Sequence, residues 1–309
     1  GEAIFTPSGV NPDVATSTFT SAVRIDKDTS KVLTVKADFA AQGVSQIGTP
    51  GSRVHVDWDG GANLATEAAG VSSGTTIRAT GTDTASAGVV IYKSYPIVSS
   101  VALSDTKLTS GRRDLFRFNV SANSAGDVGV YHVTFRIATT SATAQLDMID
   151  NVNVYAFTDS TYATPVSGIQ TDGAMQQGNL DLSARWASSA TDLTIGAADA
   201  SNASTTVVVS AGQTRYFAIR GDVTTAGTQF NVSTQMQGDA KFVSELTGGT
   251  SQSTYMGTTT YILSSGDNDF VWRPFSTTTT QSVTANDYAT GYGLPGLPTT
   301  NMNQQTLTQ

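Results

Sequence analysis

The chain has no cysteine among its 309 residues. That excludes disulfide cross-links, thiolate catalysis and cysteine-ligated zinc. Histidine is almost as scarce. His55 and His132 both lie in alternating runs, and neither has a nucleophile or further ligands at the spacing a triad or zinc site needs. Glutamate occurs only at Glu2, Glu67 and Glu245. A glycoside hydrolase needs two carboxyl groups roughly 5–10 Å apart in a cleft, and most aspartates here sit in turn-like stretches. A secreted hydrolase is therefore the third-ranked functional class. Charge is sparse too, at 14% of residues against about 25% in average soluble domains. The balance is acidic, with a net charge of −8. An acidic surface argues against nucleic acid and anionic membranes as partners. No apolar run approaches the roughly 20 residues of a spanning helix. The first residue is Gly1 rather than Met, as expected after removal of a secretory leader and equally of a cut piece.

Thr, Ser, Ala and Gly take the place of the missing charge. Thr suits strands, whereas Ser and Gly suit turns. Short runs of period two recur: 31–41 (KVLTVKADFAA), 53–59, 88–95, 114–122, 128–138, 151–158, 205–211, 214–223, 229–236, 258–265 and 268–275. Turn-formers such as GTPGS, NSAGD and SSGDND separate them. This pattern predicts an all-β protein of tandem immunoglobulin-like β-sandwich domains with extended terminal segments. Residues 178–199 read equally as a helix or as two strands. Two segments echo each other: in 110–137 and 211–236, Gly111 aligns with Gly212, Phe116 with Phe217 and Phe118 with Ile219. Each reads as a Gly turn, an aromatic strand, a hairpin and a second strand.

Pro96 suits the edge or start of a strand and marks a boundary. Residues 1–95 then form an N-terminal β-domain with an extended, donor-like start. Residues 96–285 form a sandwich region, one large or two small, with a possible break near 165–173. Residues 286–309 form a closing Gly/Pro segment and a neutral tail. In that segment Tyr288, Tyr292, Leu294 and Leu297 are expected to pack back, leaving 299–309 as a strand for its own chain or the next.

Acidic turns are the candidate metal sites. Calcium takes six to eight oxygens, often from Asp and Asn in loops. Asp57 and Asp59 in DWDGG, with Asn63 and Glu67 following, and Asp267 and Asp269 in SGDND are the calcium candidates, ahead of Asp147, Asp150 and Asn151. Asp and Asn also occupy tight turns for local hydrogen-bonding reasons, and both readings stand. No other cofactor is indicated. Tyr92, Tyr95, Trp186, Tyr255, Tyr261, Trp272 and Phe275 could form a sugar-binding platform or pack in a core.

The ordered series from YPIV through LSDTKLTSGRRDLFRFNVSANSAGDVGVYHVTFRI, NVNVYAFTDSTYATPVSG, GQTRYFAIRGDV and DFVWRPFS to ANDYATGYGLPGLP resembles uncharacterised all-β surface-exposed proteins of candidate-phyla-radiation bacteria (Patescibacteria). It covers roughly residues 88–309. The resemblance implies secretion, an all-β fold and a cell-surface setting, and no chemistry. All-β proteins expose strand edges, and one use of an edge is completion by a strand from another copy. The leading expectation is a non-enzymatic structural subunit of an extracellular filament or surface layer, with identical subunits as partners. The alternative is a cell-surface adhesin or carbohydrate-binding module whose partners are surface glycans.

Overall fold

The computed structural model describes residues 6–7, 15–16, 19, 21–42, 45–47, 52–54, 56–58, 66–80, 84–86, 88–140, 147–176, 178, 190–226, 229–240, 269–275 and 288–309. These residues are all-β, with no helix among them. The chain divides into two compact units, Gly1–Phe39 with Arg53–Val90, and Ala40–Ser52 with Ile91–Gln309.

The first eight strands are short: β1 (Thr6–Pro7), β2 (Ala15–Thr16), β3 (Ser52–Val54), β4 (Asp57–Trp58), β5 (Glu67–Ala69), β6 (Thr76–Arg78), β7 (Thr84–Ala85) and β8 (Val89–Ile91). They form two-stranded ribbons only: β1–β2, β3–β8, β4–β7 and β5–β6. Among the residues of the first unit whose burial is described, none is buried. The alternation over 31–41 predicts a strand there, but the structure has none. The segment leaves Val32 91%, Leu33 65%, Val35 50% and Phe39 49% exposed. Alternation makes a segment competent for a sheet, whereas a strand exists only where a ladder partner lies alongside.

The second unit contains β9 (Pro96–Val101), β10 (Gly111–Ala122), β11 (Val128–Thr140), β12 (Met148–Phe157), β13 (Ala190–Gly196), β14 (Val207–Val209), β15 (Thr214–Thr224), β16 (Asn231–Met236), β17 (Phe270–Arg273), β18 (Ala289–Thr290) and β19 (Gln305–Thr308). Of the run that read as helix or strands, the described C-terminal part is β13. The run 258–265 lies outside the described residues. One sheet has the order β12-β15-β10-β9. The other is built on β11, whose Phe135 faces Leu193 of β13 on one side and Met236 of β16 on the other. Val130 likewise lies between Val207 of β14 and Trp272 of β17. Thus β13 and β14 run in tandem along one edge of β11, and β16 and β17 along the other. The inward residues of both sheets merge into one core. Phe116 and Phe118 of one sheet meet Phe135 of the other at 5.8 and 6.0 Å between ring centroids.

The two echoing segments are not hairpins. Each sends its first strand into one sheet and its second into the other: β10 to β11, and β15 to β16. The first strands pair antiparallel, Phe116 opposite Ile219 and Phe118 opposite Phe217. The second strands pair antiparallel as well. Residues that align in sequence are therefore exchanged by a local two-fold relation. A hairpin would leave each apolar face to find a cover, whereas arches between sheets bury both faces against each other.

The described outer edges at β12, β9 and β19 are covered. Beside β12, the N–H of Val166 donates to Ala156 O (2.9 Å), that of Ala156 to Gly173 O (2.8 Å) and that of Met175 to Val154 O (2.7 Å). At β9, Pro96 has no donor and Val98 N–H donates to Pro295 O at 3.0 Å. Gly296 (φ +81°) packs so close to Val98 that a Cβ would lie 1.8 Å from its carbonyl oxygen. Only glycine fits there. The tail strand β19 pairs with β16 of its own chain, and its outer side bonds to Thr106 and Leu108 at 2.9 and 2.8 Å. Leu307 and Met302 are buried in the core, as are Tyr288, Leu294 and Leu297, whereas Tyr292 is half-buried. Of the two partners open to the neutral tail, the structure shows its own chain.

Candidate functional site

The acidic candidates do not gather. Asp57 begins β4, and its side chain lies outside the described residues, as do Asp59 and Asp267 entirely. Asp269 is buried at the entry to β17. Its backbone carbonyl accepts from Thr134 N–H at 2.7 Å. Asp147 is buried and accepts from Ala226 N–H at 2.8 Å. Asp150 and Asn151 lie at a bulge in β12, where Asn151 Nδ2 donates to Asp222 Oδ2 at 2.9 Å. Among the described residues no three His, Asp or Glu side chains converge as a metal site would require.

What Asp269 does touch is Asp239, a residue the sequence did not single out. Asp239 follows β16 and accepts three backbone N–H donors. Asp269 donates to its Oδ1 at 2.5 Å, while Gly291 (2.6 Å) and Phe270 (3.3 Å) donate to its Oδ2. One carboxyl thus ties together the exit of β16, the entry to β17 and the exit of β18. Burial pushes its pKa up to about 7 despite the three donors. The folded protein then holds a proton that the unfolded chain releases near 3.8. The resulting stability is fully present below the unfolded value and is lost as pH rises through about 7. Urea midpoints measured from pH 5 to 8 should therefore fall up to neutrality, by about 1 kcal/mol per pH unit from this group, and then level off. Asp239→Asn should flatten that slope, and an unchanged slope would assign it to other groups.

A second cluster lies on the outer face of the four-stranded sheet. Asp114 accepts from Arg117 Nε at 2.6 Å and from Arg220 Nε at 2.7 Å. The guanidinium of Arg117 lies 4.3 Å from the Tyr162 ring centre, that of Arg220 lies 4.7 Å from Phe157, and that of Arg112 lies 4.9 Å from Tyr155. Such stacking contributes about 0.5–2 kcal/mol per pair. Burial pushes the phenols of Tyr155 and Tyr162 above their ordinary value, so neither is a ready base. In a regular strand Asp114 and Arg117 would point to opposite faces. The register break between Asp114 and Phe116 puts them on the same one, which period-two reading cannot anticipate.

Tyr162 reaches this cluster from the loop beyond β12, and Asp159 shapes that loop. Its carboxylate accepts from the Thr161 hydroxyl and from the N–H groups of Thr161 (2.9 Å) and Thr164 (2.8 Å). The Thr161 hydroxyl bond, followed by the Thr164 N–H, holds its pKa well below the usual carboxylate range.

Of the described aromatic candidates, Trp272 is core and Tyr92 packs against it. Trp272 is buried, donates its indole N–H to Thr290 O at 2.8 Å and meets Tyr92 edge-on at 5.0 Å. Phe275 lies under Arg273, at 4.6 Å. Tyr95 is exposed. Trp186, Tyr255 and Tyr261 lie outside the described residues, as does His55. His132 is buried on β11 beside Tyr131. No described helix is long and apolar enough to cross a membrane. The chain matches no family model and no curated protein, so its function is argued from geometry.

Proposed function

We propose that the chain is a non-enzymatic structural subunit of an extracellular assembly, a filament or surface layer of identical copies. The observation that carries this reading is the contrast in burial between the two units. The second has a continuous core and covered edges at β9, β12 and β19. The first has no buried residue among those whose burial is described, and its described strands are two-stranded ribbons. Isolated ribbons are marginal in water, and ordering a backbone costs about 1–2 kcal/mol per residue. Association supplies the missing burial. A cell-surface location belongs to the same reading, as does an immunoglobulin-like class for the sandwich, with the first unit completing a second sandwich on association. Sedimentation velocity over a hundredfold range of concentration, with negative-stain microscopy, tests it. Growth into large regular species is expected, and a monodisperse monomer throughout would overturn the proposal.

A further inference from the structure

We propose that residues 31–39 are the connecting strand, pairing with the N-terminal unit of a second copy of this chain. The inference rests on the reading of the chain as a self-assembling subunit and names the segment that joins the copies.

The segment has what an added strand requires. Leu33, Val35, Ala37 and Phe39 share one face at period two, and Val32, Thr34, Lys36 and Asp38 share the other. Its β-branched residues favour extended backbone. Nine residues at about 3.3 Å each span some 30 Å, longer than any ribbon of the first unit. It belongs to no ladder, and its large apolar side chains stand in water. Main-chain pairing would supply affinity and the Leu33–Phe39 face register.

The chain itself supplies the matching surface. The edges of the second unit at β9, β12 and β19 are occupied within the chain, whereas the strands of the first unit stop at two-stranded ribbons, and the first unit of another copy is the partner proposed. The ribbon β5–β6 there keeps all six of its residues exposed, with Ile77 at 56%. Charge is complementary. The segment carries Lys31 and Lys36 against Asp38, whereas residues 53–90 carry Asp57, Asp59, Glu67 and Asp83 against Arg53 and Arg78. A lipid surface fits less well, because a lone strand leaves its backbone unpaired in hydrocarbon.

The test uses the full chain carrying Leu33→Asp and Val35→Asp together. Both side chains are exposed, so the thermal transition of the second unit should not move. Assembly should require at least tenfold more protein, or vanish. A peptide spanning 29–41 should inhibit wild-type assembly, while a scrambled peptide should not. If the variant loses the thermal transition as well, the peptide result decides. Wild-type assembly that withstands both the substitutions and the peptide overturns this inference and leaves the subunit reading intact. A wild-type chain that never assembles overturns both.

Discussion

Deleting residues 299–309 is expected to unfold the second unit rather than to release a folded monomer. The sequence alone reads this tail as a neutral strand that pairs with its own chain or with the next, and only the second case would leave the monomer folded without it. In the structure Leu307 is 1% exposed and sits in the core with Met302. Burying side chains of this size contributes roughly 1.5–3 kcal/mol each. The tail also pairs with β16 from Asn231 to Thr234. Gln305 adds a stitch between the sheets. Its Oε1 accepts from Arg117 N–H at 3.2 Å, and its Nε2 lies 3.0 Å from Val101 O and 3.1 Å from Arg117 O. Removing all of this costs on the order of 5 kcal/mol or more, comparable with the whole stability of many domains. Circular dichroism should show a transition lowered by tens of degrees or lost. An unchanged midpoint would show that the tail is dispensable.

Phe118→Ala should be the most damaging single substitution in the core. Phe118 stacks on Phe217 at 4.7 Å and lies 6.0 Å from Phe135 and 6.4 Å from Phe116. It therefore links the two strands related by the local two-fold and joins one sheet to the other. A buried Phe→Ala change costs about 3–5 kcal/mol, because a cavity remains where the ring was. Urea denaturation should show a lower midpoint with the slope unchanged. A double-mutant cycle with Phe217→Ala should reveal coupling of about 0.5–1.5 kcal/mol. Additive losses would mean that the stacked pair has no energy beyond burial.

Much of the strand content is legible because alternation is local. The runs at 114–122, 128–138, 151–158 and 214–223 became β10, β11, β12 and β15 with small changes of boundary. The run at 31–41 shows where such reading stops, since it alternates as well as the others yet pairs with nothing described. The arches show the same limit. The Gly-containing connections after β10 and β15 look like hairpin turns, but which sheet the next strand joins is set by the faces left to cover. The tail, polar and uncharged, gave no sign that Leu307 and Met302 anchor it. The carboxyl of Asp239 is ordinary in sequence and becomes a clamp only because β16, β17 and β18 end beside it.

The sequence by itself determined that the protein is all-β, acidic, cysteine-free and without thiol chemistry, because composition and the period of two are properties of neighbouring residues. Only the tertiary structure decided which strands are finished and which are not. It placed the tail inside the fold and put Asp114 on the face of Arg117 through one bulge. It also left Leu33, Val35 and Phe39 in water. Pairing joins residues far apart in the chain, so whether a strand-competent segment is used within its own chain or left for another depends on the whole fold.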